Sequence, residues 1–354
     1  MKNDGDGLPR ITRRAAMAGI GACTLLHGLP AQAGRAISVR RKGGTMTTGK
    51  IDTHQHFFPP IYMETVGLET LARQMPNKKA PDWSVERAIA MMDQNGIQEG
   101  ILSVSAGPTV PDEATLFRKC NEYAAELRQQ HKGRFGSFAS LPLPDIDASL
   151  AEAAYCLDHL NVDGFIVFTN YAGAYLGDER FIPLFEELHR RKAVVFIHPT
   201  DPPQPIAPIA PASVMEFPFE TTRTATSLIL AGALRRFSGI RFILSHAGGT
   251  LPYLFPRISL SVSMIPGAAE RVGDVREAFA AFYYDTALSA DAATMSALLK
   301  VARPDHILFG TDFPMAPLSA ITNFGRQLDL MTVSGFSRGA VFHENAARLL
   351  GRRR

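Results

Sequence analysis

The sequence predicts a (β/α)8 barrel of the TIM type, a single domain preceded by a segment that does not belong to it. Three observations carry that expectation. From residue 50 onward, eight short β-rich runs alternate with amphipathic stretches, the order of a parallel sheet with helical crossovers. Several runs, such as "AVVFIH" and "RFILSH", are almost unbroken apolar sequence, which suits strands covered on both faces. The 354 residues accommodate one such barrel, and no GxGxxG follows the first strand to suggest a dinucleotide-binding fold. An open, doubly wound sheet is the alternative architecture for the same alternation.

Taken in order, the strands are expected at 50–57, 99–105, 135–141, 164–169, 193–198, 241–246, 282–287 and 307–312. Between them, helical periodicity marks 84–96, 112–133, 148–161, 180–192, 221–239 and 292–302. Several of these end at glycine or a basic cluster, both helix-stop signals. The stretch 199–220 is different, with seven prolines in 22 residues. It is expected to form no regular helix and to serve as a lid or binding loop. Met215, Phe217 and Phe219 would then need burial.

The N-terminus reads as an address rather than a fold. Arg13 and Arg14 precede an apolar run from Ala15 to Leu29, followed by Ala31-Gln32-Ala33. That run is too short to span a bilayer, and the small residues form a cleavage pattern. Residues 1–33 are therefore expected to be a twin-arginine-type signal peptide and 34–49 a linker to the barrel domain at 50–354, with a periplasmic destination. Two alternatives stay open: a lipoprotein box at Cys23, or translation from Met46 and a cytoplasmic protein.

Composition excludes other classes. The net charge is +3 with 20% charged residues, so no basic surface argues for nucleic acid. No segment reads as transmembrane. Beyond Cys23, only Cys120 and Cys156 remain, each in a helical stretch, so no disulfide framework is expected.

The chemistry begins at "DTHQH". Residues i and i+2 of a strand share a face, so His54 and His56 project together. Alone, the pair is as compatible with a buried hydrogen-bonded couple as with a metal. Other strand ends change that balance: the fifth run ends in His198, the sixth in His246 and the eighth in Asp312. In a barrel these ends converge on one rim, bringing five N- or O-donors together as a metal site. His131, His159, His189, His306 and His343 fall in or beside helical segments or ahead of a strand and are expected to be structural or solvated.

The HxH pair, the strand-five histidine, "SHAGG" and "GTDFP" together resemble the amidohydrolase superfamily. Within it, "EFPFETTRTAT" and "LRRF…RFILSH" look like the branch around aminocarboxymuconate-semialdehyde decarboxylase and the aromatic-acid decarboxylases. "SLPLPD", "TNYAGAYLGD" and "YYDTALS" look closest to its 6-methylsalicylate decarboxylase-type members. The resemblance implies that His54, His56, His198 and Asp312 hold one divalent metal ion, Zn²⁺ or Mn²⁺, with His246 a catalytic histidine beside it. The fourth strand, "GFIVFTN", lacks the lysine of two-metal members, which implies a mononuclear site. Arg257, eleven residues after His246, matches an arginine that binds the substrate carboxylate in a neighbouring subunit, implying a homodimer. One departure is Thr200 in "HPTDPP" where the muconate-semialdehyde enzyme carries an aromatic residue, leaving room for an aromatic ring.

The expected activity is non-oxidative decarboxylation of a hydroxylated, salicylate-like aromatic acid, with Asp312 or His246 supplying the proton. The alternative is hydrolysis of a lactone, ester or amide at the same centre. A non-enzymatic relic of the fold is a third reading, disfavoured because all five donor positions are filled.

Overall fold

Eight strands, all parallel, follow one another around the sheet in chain order: β1 Lys50–Phe57, β2 Ile97–Val104, β3 Phe135–Ser140, β4 Gly164–Phe168, β5 Val194–His198, β6 Arg241–Leu244, β7 Tyr283–Asp285 and β8 Ile307–Leu308. The computed structural model describes residues 49–352 apart from 76–77, 106–109, 205 and 207–208. The expected signal segment, and all but the last residue of the expected linker, lie outside the described residues. The sheet closes through the backbone past β8, where Thr53, His56 and Asp312 N–H groups donate to Phe309, Phe313 and His54 carbonyls. That closure is the expected barrel, and it leaves no unpaired edge.

Apolar side chains sort into two cores. Ile51, Ile101, Phe138, Ile166, Phe196, Ile243 and Leu308 pack together inside the barrel, beneath the C-terminal rim. The larger core lies between strands and helices, with Phe165, Val195, Phe242 and Tyr284 fully buried. β5 is buried along its whole length, as its unbroken apolar run requires. Among the described residues, no helix is long and apolar enough to cross a membrane.

Strict alternation along β1 would place Ile51 and His54 on opposite faces. A register shift between Asp52 and Gln55 changes the parity. Ile51 fills the barrel floor, and beyond the bulge His54 and His56 turn to the same interior, which is how bulges redirect side chains near sites.

Four expectations need correction. The sixth and eighth strands end at Leu244 and Leu308, so His246 and Asp312 lie in the turns that follow rather than on the strands. Glycine and proline cluster there and break the ladder. The proline-rich stretch ends inside a helix, Glu216–Leu230; Pro218 is tolerated because the first helical turn has no intrahelical use for its N–H. Met215 and Phe219 remain 38% and 39% exposed rather than buried. A short hairpin, Asn170–Tyr171 with Ala174–Tyr175, follows β4 where no strand was expected. Cys120 and Cys156 are buried free thiols, in agreement with the absence of a disulfide framework.

Candidate metal centre

Four of the expected donors meet. One ligand atom each from His54, His56, His198 and Asp312 lies within 4.8 Å of the others, and all four residues are buried. The Nε2 of His56 stands 3.2 Å from that of His54 and 3.1 Å from that of His198. Asp312 Oδ1 lies 3.3 and 3.2 Å from the Nε2 atoms of His54 and His56. Yet Oδ1 is aligned for no hydrogen bond. An unpartnered carboxylate oxygen this close to two imidazole nitrogens, themselves 3.1–3.2 Å from their neighbours, marks donor atoms gathered about one common position.

Outer contacts fix those lone pairs. His54 Nδ1 donates to Asp285 Oδ2 at 2.8 Å, both residues being fully buried. His56 Nδ1 faces the Ser103 carbonyl and hydroxyl at 3.3 and 3.2 Å. With Nδ1 carrying the proton, each Nε2 is free to ligate, the arrangement metal-bound histidines require. Three imidazoles and a carboxylate are a donor set that fits one divalent ion.

The electrostatics agree. Burial disfavours a charge on His54, but Asp285 and Asp312 outweigh it and lift its pKa to about 10. Burial drives His56 and His198 downward, toward neutral imidazoles. Burial also penalises the Asp312 carboxylate, but the charge on His54 and the adjoining imidazoles of His246 and His56 hold it well below the usual range. Two neutral imidazoles and a carboxylate, with His54 drawn toward its charged form by two aspartates, make a dry pocket that favours positive charge at its centre.

His246 joins the group without entering it. Its Nε2 is 3.6 Å from Asp312 Oδ2, the oxygen on the side away from the His54–His56 contact. His246 and Ala247 adopt left-handed φ of 53° and 56°, and Asp312 a φ of 62°, conformations that concentrate at functional sites. The turn behind His246 needs glycine. A Cβ at Gly249 would sit 2.1 Å from the Pro218 carbonyl oxygen at a φ of +62°, which explains "SHAGG".

Two residues escaped the sequence reading. Asp285 buttresses His54 and also accepts the His246 N–H through Oδ1 at 3.0 Å; its signal was an aspartate ending a strand on the same rim. Asp52, fully buried, accepts the Thr311 N–H at 3.0 Å and its hydroxyl at 2.5 Å, tying β1 to the residue before Asp312. Arg257 is not brought to the cluster. It lies exposed on the Leu251–Met264 helix, with no hydrogen bond or ion pair to the described residues. The five other histidines among the described residues are placed away from the centre; His306 stacks on Tyr283 and bonds Phe282 O, and His343 bonds Gly49 O.

Beside the centre opens a cavity of about 650 Å³. Its wall includes Phe168, whose ring lies 6.4 Å from that of His198, and Thr200, two residues beyond that histidine. Leu116, Phe117, Leu141 and Leu143 make much of the remaining lining apolar. No aromatic side chain blocks it at position 200.

Comparisons with known proteins converge on one group. A 6-methylsalicylic acid decarboxylase of Aspergillus aculeatus is 43% identical over 292 residues, covering 78% of this chain and 88% of its own. A second 6-methylsalicylic acid decarboxylase, from Penicillium expansum, is 40% identical over 291 residues, covering 79% and 89%. A crystal structure described as an amidohydrolase II superposes with a TM-score of 0.77 at 28% identity, over 86% of this chain and all of that one. With the amidohydrolase family model matching residues 51–352, this chain belongs to the amidohydrolase family.

Proposed function

We propose that the protein is a metal-dependent carboxy-lyase that removes CO2, without oxidation, from a hydroxylated, salicylate-like aromatic acid. The observation that carries the reading is the His246–Asp312 contact. The metal-facing carboxylate turns its second oxygen toward an imidazole 3.6 Å away, beside a cavity with space for a ring. Relatives at 43% and 40% identity with the named activity support it.

His54, His56, His198 and Asp312 would hold one divalent ion. Zn²⁺ is our assignment on the imidazole-rich donor set, with Mn²⁺ the second choice. When bound, the ion supplies Lewis-acid polarisation and a template for the substrate's carboxylate and ortho hydroxyl. Asp312 Oδ2 or His246 Nε2 delivers the proton to the ring carbon bearing the carboxylate. The C–C bond to that carboxylate then breaks, its electron pair restores the aromatic ring, and CO2 leaves. Burial of the four ligating residues and the apolar walls exclude water from competing for that proton.

Arg257 has a role only in an assembly. Tyr253, Leu260 and Met264 are 81%, 60% and 71% exposed, and with Arg257 they recur at helical spacing on one side. We assign this face to a homodimer in which Arg257 binds the substrate carboxylate of the neighbouring subunit. In Leu260→Glu/Met264→Glu protein, light scattering should report a monomer. Arg257→Ala should raise KM about tenfold or more with the metal retained; a dimeric double variant and an unchanged KM would remove the assignment.

The deciding experiment measures CO2 from a panel of ortho-hydroxybenzoates, using protein lacking residues 1–33 with one equivalent of metal. Release that falls by about 10³-fold in His246→Ala is the expected result. Failure of the whole panel, with turnover of a lactone or ester instead, would assign the site to hydrolysis.

A further inference from the structure

The cavity beside the metal centre carries a charge pattern that the decarboxylase reading does not require. Among its described lining residues are two carboxylates, Glu113 and Asp201, and no lysine, arginine or histidine. Glu113 opens the Glu113–Gln130 helix, where Asp112 takes the capping role by accepting from the Thr115 N–H. Glu113 is thus free of the cap. It is partly buried, and the Val110 N–H is the one hydrogen-bond donor that offsets its burial, which raises its pKa.

Several of the other polar groups nearby already have partners. The Tyr62 hydroxyl donates to Ser105 O, and the Tyr171 hydroxyl accepts from the Phe168 N–H. The Asn170 amide donates to Asp201 O and to the Glu220 carboxylate, and its oxygen accepts from Gly173. Among the described residues, no cation lines the cavity to neutralise Glu113. Its negative charge therefore projects into a space otherwise walled by Leu116, Phe117, Leu141, Leu143 and Phe168. Asp201, exposed, adds a second charge at the mouth.

We propose that Glu113, with Asp201 at the entrance, is a specificity-determining residue that restricts the substrate to aromatic acids with a single carboxylate. This deepens, and rests on, the proposed function. When the carboxylate and ortho hydroxyl occupy the metal side, the rest of the ring has the apolar cavity to fill. An alkyl substituent suits its leucine and phenylalanine walls, and a hydroxyl can donate to Glu113. With Arg257 of the neighbouring subunit committed to the first carboxylate, a second ring carboxylate meets a like charge and no cation among the described lining residues, and rejection by an unpaired charge is an efficient source of discrimination.

The test compares 6-methylsalicylate with 4-hydroxyisophthalate, a ring dicarboxylate, on metal-loaded wild-type, Glu113→Gln and Glu113→Gln/Asp201→Asn protein. Metal content and melting temperature confirm that each variant is folded. The ratio of kcat/KM for monoacid over diacid should fall by about tenfold in Glu113→Gln and further in the double variant. Glu113→Arg should lower it most. Unchanged ratios in all three variants would overturn the inference while leaving decarboxylation intact. Should wild-type protein turn over neither acid, the function reading fails first, and calorimetric binding of the two acids still reads the filter. Preference for the monoacid that disappears in the double variant supports it; equal binding by wild-type protein, or a preference that survives both substitutions, overturns it.

Discussion

Asp285→Asn isolates what holds the metal centre in shape. The carboxylate is fully buried: Oδ2 accepts from His54 Nδ1 at 2.8 Å, and Oδ1 accepts the N–H groups of His246 at 3.0 Å and Ala287 at 2.9 Å. Asparagine keeps the shape but has one acceptor edge where aspartate has two. With its oxygen toward His54, its NH2 faces two backbone N–H donors. Flipped, its NH2 donates to His54 Nδ1, and the ring proton must move to Nε2, the atom that should ligate. Either orientation loses. Removing such an outer partner costs about 10–100-fold in metal affinity, or about 1.4–2.7 kcal/mol. An unsatisfied buried donor takes a further ~1–3 kcal/mol from stability. Competition against a chromophoric chelator would give the dissociation constant, and thermal unfolding of metal-free protein the second quantity. A folded Asp285→Asn protein whose metal dissociation constant stays within about twofold of wild type would refute the buttressing argument.

Other outcomes follow from single features. Gly249→Ala should cost more than about 3 kcal/mol, because strain at positive φ is joined by a backbone clash. Gly133→Ala, with φ +75° and open space, should cost only about 1 kcal/mol in the same melting assay; equal losses would refute the clash. Burial pushes the Cys120 thiol up to about 12 and raises Cys156 as well. A thiol titrating that high stays protonated at pH 8, so a thiol reagent should label neither residue until the chain unfolds; rapid labelling of native protein would contradict the placement. We propose export for the full-length chain: N-terminal sequencing of protein from its native host should begin at Gly34, and a start at Met46 or Thr47 would remove the signal.

Much of the site could be read from local pattern. A two-residue repeat placed His54 and His56 on one face, and apolar runs ending in His198, or just short of His246 and Asp312, marked one rim. Those inferences need only strand periodicity and the rule that parallel strand ends share a face of the barrel. Arg257 shows the limit of that reasoning. Its match is a spacing, and a spacing cannot say which molecule an exposed side chain will reach.

What the sequence determined by itself was therefore the alternation of elements, the types of donor and the end of the barrel where they gather. Only the tertiary structure decided how they point. The register shift between Asp52 and Gln55 is defined only by the pairing of β1 with its neighbours on both sides. The left-handed turns at His246 and Asp312 persist because packed neighbours over-determine them. His54 is aimed by an aspartate 231 residues away, and β1 is tied to the Asp312 turn by an Asp52–Thr311 pair 259 residues apart. Periodicity acts over a few residues, whereas the aim of a buried imidazole is set by whichever groups the closed barrel brings within 3 Å of it.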